Sequence, residues 1–394
     1  MSASSAFRFV LVMGMVNLFA DTTYEGGASI NGQFLGSLGA SAAAISIVAG
    51  VGEFLGYSLR SVSGYVADRT GRHWPITFVG YAINLLAVPA MALAGSWQVA
   101  GALVLAERIG RAIRKPTVEA MLSYSTGKHG KGWVYAVNTA LDETGATIGP
   151  LLIALVLFRG ADFRSGYRLL LFSSLFALAA LVLARVQFPV PSKLESGGPP
   201  TAPEQGFTKS YWLYMVAGTC FAAGLMSFEL IAFHLSRTGS VPAQWIPVFL
   251  AVSTAGGVVA SLILGQSYDR VGIASVVVAV ILASLFSPLV FFGGFWIALA
   301  GLMLWGIGYA TQDTMLKVLI ASVLPEGRRN FAFGLFYLGY GAGWLVGSIT
   351  TGLLYDRSRA ALVVFAVVVQ LASLPFFILA ERATPHAPRR AHPS

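Results

Sequence analysis

The chain has 394 residues, of which 56% are hydrophobic and 11% are charged. Charged residues make up about a quarter of soluble domains, so this composition excludes a protein whose main solvent is water. The formal net charge is +9, but the basic residues fall mostly between apolar runs and form no basic face with interleaved aromatic residues, so no nucleic acid partner is expected.

Six apolar runs come first in the chain. A helix that spans a bilayer needs about 20 mostly apolar residues, which each run provides. These runs, named spans 1 to 6, lie near residues 7–34, 42–66, 75–94, 98–124, 133–158 and 167–187. Span 1 continues into Asp21, Tyr24 and Glu25 without a small-residue cleavage site, so we interpret it as an uncleaved helix and not as a signal peptide.

A segment rich in proline and glycine, residues 188–208, separates these runs from six more. Its composition predicts a linker. Spans 7 to 12 lie near residues 210–236, 243–267, 274–293, 295–323, 331–354 and 360–380. With a cytoplasmic N-terminus, 18 Lys and Arg residues fall on the cytoplasmic side against 6 on the other. We therefore expect a multi-pass protein of the cell (inner) membrane, with both termini and the linker in the cytoplasm.

Short sequence elements of spans 1 to 6 recur in the same order in spans 7 to 12. Tyr24-Glu25 matches Phe228-Glu229 at an offset of 204 residues. Further matches are Gly64, Asp68-Arg69 and Gly71 with Gly265, Asp269-Arg270 and Gly272 at 201, and Gly145 and Gly149 with Gly343 and Gly347 at 198. A duplicated six-helix unit leaves such a pattern. The sequence therefore predicts an all-α membrane protein whose twelve transmembrane helices form two pseudo-symmetric six-helix bundles, residues 1–187 and 209–394.

The turn between spans 2 and 3 reads Gly64-Tyr-Val-Ala-Asp68-Arg69-Thr-Gly71-Arg72-His73. This pattern resembles the signature of the major facilitator superfamily, with His73 in place of a Lys or Arg, and the resemblance covers the whole chain. It implies that spans 1, 4, 7 and 10 line a central cavity. It also implies that the turn is a gate-side latch, with a simple solubilising turn as the alternative. The implied latch residues are Asp68, Arg69 and Arg72, with Asp269 and Arg270 in the second copy.

Several ionisable residues lie inside the spans, where each costs at least about 2.5 to 3.5 kcal/mol and is a functional hypothesis by default. Asp21 and Glu25 share a face of span 1, as residues four apart do on a helix. The others are Glu53 and Arg60 in span 2, Glu107, Arg108, Arg111, Arg114 and Lys115 in span 4, Asp142 and Glu143 in span 5, Glu229 in span 7, and Asp313 with Lys317 in span 10.

Two interpretations of Asp21 and Glu25 remain open. Either both are neutralised by Arg108 and Arg111 as a fixed scaffold, or one of them binds a transported proton, because burial favours the neutral form of a carboxyl group. Glu229 is the weaker counterpart in the second half. The two arginines are candidates for binding an anionic substrate, whereas Arg114 and Lys115 are expected to be interface anchors.

The sequence Gly145-Ala-Thr-Ile-Gly149-Pro150 resembles the span 5 signature of antiporters in this family. Ile153 and Ala154 stand where that signature has paired glycines, so the match is partial. We expect a secondary active transporter that exports a small organic solute in exchange for protons by alternating access. The alternatives are a proton-coupled symporter that imports an organic anion, and a receptor or scaffold with a transporter fold.

Other classes of function lack their motifs. The five histidines form no close metal-ligand pair, and neither a G-x-S-x-G serine motif nor a GxxxxGK[ST] nucleotide loop occurs. We therefore expect no enzyme activity, no metal, no cofactor and no direct use of ATP. The expected partners are a small-molecule substrate, protons and the lipid bilayer, and the expected state is a monomer.

Overall fold

The computed structural model describes residues 3–123, 131–190, 206–323 and 329–384. Every regular element in this part is helical, which confirms the predicted all-α membrane fold of twelve spans in two repeated halves. Most of the predicted linker lies outside the described residues. The side chains of Asp68 and Asp313 also lie outside the described part of the chain.

Spans 1 to 6 are continuous helices with local signals at their ends. Ser41 begins span 2 and its hydroxyl accepts from the amide of Ala44, while Gly71 ends that span with a φ of +62°, a conformation that glycine adopts without strain. Asp162 caps span 6 in the same way as Ser41 caps span 2. The helices are Ala3–Ser37, Ala42–Thr70, His73–Ala90, Trp97–Ser123, Lys131–Phe158 and Phe163–Gln187.

Three spans of the second half are interrupted. Span 7 consists of Lys209–Gly224 and Phe228–Thr238, and span 9 of Ile273–Ser284 and Phe286–Phe292. Span 10 runs through a helix, a six-residue π-helical segment and a second helix: Phe295–Ala310, Thr311–Leu316 and Lys317–Ser322. Spans 8, 11 and 12 are single helices: Ile246–Val271, Arg329–Arg357 and Arg359–Ala383. Discontinuous spans are a common way to build a site within the membrane.

Ten helical stretches in the described part are long and apolar enough to cross a membrane. Spans 1 and 4 do not meet that standard, although their helices have 35 and 27 residues. Polar and ionisable residues inside them lower their hydropathy. Both of these spans must therefore be stabilised by polar contacts within the bundle.

The two halves are packed by equivalent glycines. A Cβ atom added to Gly149 of span 5 would overlap the carbonyl oxygen of Thr22 in span 1, and one added to Gly347 of span 11 would overlap that of Ala223 in span 7. Gly145 and Gly343, one helical turn earlier in spans 5 and 11, make equivalent contacts with backbone carbonyl oxygens of spans 1 and 7. Small residues allow such close helix approach within a membrane, so equivalent pairs of spans pack in the same way in each half.

The halves close against each other at one end of the molecule. The end at which span 2 reaches Gly71 is called the motif end. At the opposite end, span 1 crosses span 7 so closely that a Cβ atom at Gly32 would overlap the carbonyl oxygen of Glu229. Spans 5 and 8 meet there through Phe158 and Trp245, whose ring centroids are 5.3 Å apart. These two contacts join the halves at this end, which is called the sealed end.

Candidate functional site

A cavity of about 320 Å³ lies between the two halves. It is lined by residues of spans 1, 4, 7 and 10, as the family resemblance implies, and by residues of spans 2, 5, 8 and 11. Its wall extends from Glu229 to Arg60, Lys115 and Ser261, which lie nearer the motif end. The cavity therefore extends toward the motif end.

Arg108 of span 4 is the centre of an ion-pair cluster that joins the halves. Its guanidinium lies 2.7 Å from Glu53 Oε1 of span 2 and 3.1 Å from Glu229 Oε1 of span 7. Glu107 Oε2 is 3.4 Å from Arg108 Nε, and Glu107 Oε1 is 3.4 Å from Arg111 Nε. These side chains are at most 17% exposed, so their charges are screened weakly and interact strongly.

The break in span 7 positions Glu229. The second helix of the span begins at Phe228, so Glu229 lies in its first turn, where the helix dipole favours a carboxylate. At the break, Trp305 of span 10 donates from its indole nitrogen to the carbonyl oxygen of Met226 at 2.9 Å. This hydrogen bond satisfies a buried carbonyl that has lost its helical partner. The sequence indicates the acidic residue but not the break beside it.

Asp21 is paired differently from the sequence-based expectation. Its carboxylate lies 3.9 Å from Arg114, not beside Arg108 or Arg111. Arg114 is only 6% exposed, and its guanidinium lies 4.4 Å from the ring centroid of Tyr81. The expectation that Arg114 is an interface anchor is therefore wrong, because the side chain turns into the first bundle instead of toward the bilayer surface.

A chain of hydrogen bonds leads from Tyr81 to Asp142. Tyr81 donates to Asn17 Oδ1 at 2.5 Å, Asn17 donates to Asn138 Oδ1 at 2.9 Å, and Asn138 donates to Asp142 Oδ2 at 3.1 Å. Sequence reasoning missed the two asparagines. The available signal was an amide side chain within an apolar run, since a polar group inside a membrane needs a partner.

Glu25 lines the cavity without a close partner. Among the described residues, it makes no ion pair within 4 Å and no side-chain hydrogen bond. The expected pairing of Glu25 with Arg108 or Arg111 is not formed, because Glu53, Glu107 and Glu229 already surround Arg108. Glu25 is thus an acidic group that belongs to no ion pair in the described part of the chain.

Aromatic residues of the second half form one wall of the cavity. The ring centroids of Phe228 and Trp305 are 5.9 Å apart, and those of Trp305 and Tyr309 are 4.3 Å apart. Gln312, within the π-helical segment, lines the same cavity, and such segments are frequent at functional sites. Sequence reasoning missed these residues, because aromatic side chains are common in any apolar span.

Two further charged pairs were predicted from their spacing, Glu53 with Arg60 and Asp313 with Lys317. Glu53 and Arg60 do not pair with each other, since Glu53 binds Arg108 and the Arg60 guanidinium lies 4.9 Å from the ring centroid of Tyr57. Lys317 lines the cavity. Its expected partner Asp313 has a side chain outside the described part, so that pair stays a prediction.

The turn at the motif end is partly described. Gly71 donates its amide to Ala67, and Arg69 donates to the hydroxyl of Tyr65 at 2.6 Å within the same helix. The exposed residues of the two motif copies include Arg69, Arg72, Asp269 and Arg270. A Cβ atom added to Gly64 would lie 3.5 Å from the side chain of Pro116 in span 4. The role of a latch stays a prediction.

Pro150, another residue of the span 5 signature, is buried within that span next to the packing glycine Gly149.

No group of three His, Cys, Asp or Glu residues in the described ranges could hold a metal ion. The cavity lining holds carboxylates, guanidinium groups, lysine side chains, aromatic rings, hydroxyl groups and the amide of Gln312.

Comparisons with known proteins agree with this architecture. An uncharacterised protein of Mycobacterium tuberculosis is 36% identical over 378 residues, which cover 94% of this chain and 92% of that protein. An uncharacterised MFS-type transporter of Methanocaldococcus jannaschii is 22% identical, with 92% of both chains covered.

Solved transporter structures share the fold. A peptide transporter of the POT family in complex with a thioalcohol-conjugated peptide has a TM-score of 0.77 at 13% identity, covering 96% of this chain and 97% of its own. The nucleoside transporter NupG has a TM-score of 0.70 at 12% identity, covering 95% and 98%. The model of the Major Facilitator Superfamily matches residues 5–287 and 231–394. The chain therefore belongs to the major facilitator superfamily of membrane solute transporters.

Proposed function

We propose that this transporter exports a small organic solute in exchange for protons, by alternating access to the central cavity. The observation that carries the proposal is Glu25, a carboxylate that faces the cavity and makes no ion pair within 4 Å with any described residue. A carboxylate that faces the cavity is a group to which either a proton or a cationic group of a solute can bind. Glu25 is our candidate for the site that protons and solute occupy in turn.

The ion pairs of Arg108 supply a way to link occupancy to movement. Arg108 and Glu53 belong to the first half, whereas Glu229 belongs to the second. A proton or a solute that neutralises one of these carboxylates weakens the attraction between the halves, since the pairs are poorly screened. We propose that exchange of the two ligands biases the rocking of the halves in this way.

The partial antiporter signature of span 5 favours exchange over symport. The runner-up from the sequence, import of an organic anion through Arg108 and Arg111, receives less support, because both guanidinium groups are already bound to carboxylates. We further propose that the motif end and both termini are cytoplasmic, so that the cavity faces the cytoplasm, and that the protein acts as a monomer.

Variants of the acidic pair test the site of coupling. We expect Asp21→Asn combined with Glu25→Gln to remove proton-coupled movement and to weaken solute binding, because the group that protons and solute occupy in turn is lost. Proteoliposomes that contain a pH-sensitive dye measure this, with a panel of amines, amino acids, nucleosides, dipeptides and organic acids as solutes. Glu119→Gln, at an exposed glutamate of span 4, is the matched control. Proton-coupled transport at the wild-type rate in the double variant would show that the site lies elsewhere.

A further inference from the structure

We propose that the cavity recognises protonated amines that carry an aromatic body. This substrate class rests on the proposed transport function and identifies the kind of solute that the same cavity takes. Three features of the cavity support it. They are a surplus carboxylate, an aromatic wall and an amide oxygen without a partner.

The charges around Arg108, Arg111 and Glu25 favour a cation over an anion. Arg108 is bound by three carboxylates, and Arg111 lies 3.4 Å from Glu107 with its guanidinium 4.6 Å from the ring centroid of Tyr24. An anion at Arg108 or Arg111 would have to displace these internal partners, and a buried charge that loses its partner is costly. Glu25 has no such partner among the described residues, so an ammonium group binds it without breaking an existing pair.

The aromatic residues supply the second contact. Phe228, Trp305 and Tyr309 form a continuous wall on the second half, and Glu25 belongs to the first. Aromatic faces attract cations and stack with aromatic rings. The cavity already shows this preference, because two of its own guanidinium groups lie over Tyr24 and Tyr57. A ligand with an ammonium group and a flat apolar body contacts both walls at once.

Gln312 adds a polar contact on the aromatic side. Its side-chain amide donates to the hydroxyl of Tyr57, while its Oε1 atom has no hydrogen-bond partner among the described residues. The residue is 9% exposed, so its oxygen has little access to bulk water. A buried acceptor of this kind needs a donor, and the N–H groups of a protonated amine are donors that a carboxylate group or a quaternary ammonium group lacks.

The same arrangement explains exchange. A protonated amine at Glu25 requires the carboxylate form, whereas a proton on Glu25 removes the charge that holds the amine. Amine and proton therefore exclude each other at one group, which is the condition for antiport through a shared site. The volume of about 320 Å³ lies in the range of small-molecule pockets, and a bicyclic amine fits it.

Three probes with one aromatic body and different charges test the inference. They are tryptamine, which is a cation at neutral pH, tryptophol, which is neutral, and indole-3-propionate, which is an anion. Binding to the purified full chain in detergent is measured by calorimetry at pH 7.5. We expect tryptamine to bind about tenfold or more tightly than either other probe, as a charge contact together with a cation–π contact allows.

Two variants separate recognition from partitioning into the detergent. Glu25→Gln is expected to weaken tryptamine binding about tenfold and to leave tryptophol unchanged, whereas Glu119→Gln changes neither. Equal binding of the three probes, tighter binding of indole-3-propionate, or no binding of tryptamine by the wild-type chain would each overturn the inference, whether or not Glu25→Gln folds. Binding without a membrane is independent of coupling, so a failure of proton exchange in vesicles would leave this result intact, and antiport of another solute class would refute only the inference.

Discussion

Replacing Arg108 with alanine is expected to lower the free energy of unfolding by about 3 to 5 kcal/mol, because removal of one member of a buried ion-pair cluster leaves the other charges without compensation. Glu53 and Glu229 would lose their cation at 2.7 and 3.1 Å, and both are at most 17% exposed. Denaturant titration of the purified protein measures the loss. Transport is expected to stop as well, since the link between the halves is removed.

A matched control and a double variant make this prediction sharp. Arg382→Ala removes an exposed arginine of span 12 and is expected to change stability by no more than about 0.5 kcal/mol. Adding Glu229→Gln to Arg108→Ala should restore part of the loss, because one uncompensated carboxylate is then neutral. An Arg108→Ala variant as stable as Arg382→Ala would mean that the cluster contributes little to the fold.

Gly32→Ala is expected to shift the conformational equilibrium of the whole molecule. The added methyl group would overlap the backbone carbonyl of Glu229 at the sealed end, and a backbone oxygen has no rotamer by which to move aside. Overpacking of this kind costs about 1 to 3 kcal/mol, which corresponds to a change of about 5- to 150-fold in an equilibrium constant. The cost applies only while the sealed end is closed, so the open arrangement of that end gains population.

The shift in population is measured as the distance distribution between spin labels attached at residues 37 and 238, in place of Ser37 and Thr238. Both residues lie near the sealed end, on spans 1 and 7, and the native Cys220 is first replaced with serine so that only the introduced cysteines are labelled. Gly56→Ala serves as the control, because no heavy atom would lie within 4 Å of its new Cβ. An unchanged distance distribution in Gly32→Ala would contradict the close crossing.

Much of the fold follows from the sequence alone. Apolar runs predict twelve helices, although polar residues keep spans 1 and 4 below the hydropathy of the other ten. The offsets between Glu25 and Glu229 or Gly149 and Gly347 reveal the duplication. Span 7 shows the limit of such reasoning. Its break at residues 225–227 sits in an apolar run without proline, and it depends on Trp305, which is distant in sequence, to satisfy a freed carbonyl.

The candidate site was predictable in its residue types but not in its pairing. Spacing on a helix places Glu53 with Arg60 and suggests that Asp21 and Glu25 meet the arginines of span 4. In the structure, Arg108 pairs with Glu53 and Glu229, and Arg114 pairs with Asp21. These partners come from different spans, so the depth and rotation of each helix decide the pairing, and a sequence pattern within one span carries no information about either.

The direction of coupled fluxes tests the central claim most directly. Proteoliposomes with a pH dye inside are given an outward gradient of a transported solute, with no initial pH difference. Antiport predicts that solute leaving the vesicle drives protons inward, so that the interior becomes acidic in vesicles that hold the wild-type chain and not in those that hold Asp21→Asn with Glu25→Gln. An interior that becomes alkaline as solute leaves would mean that protons and solute move together, and it would contradict exchange.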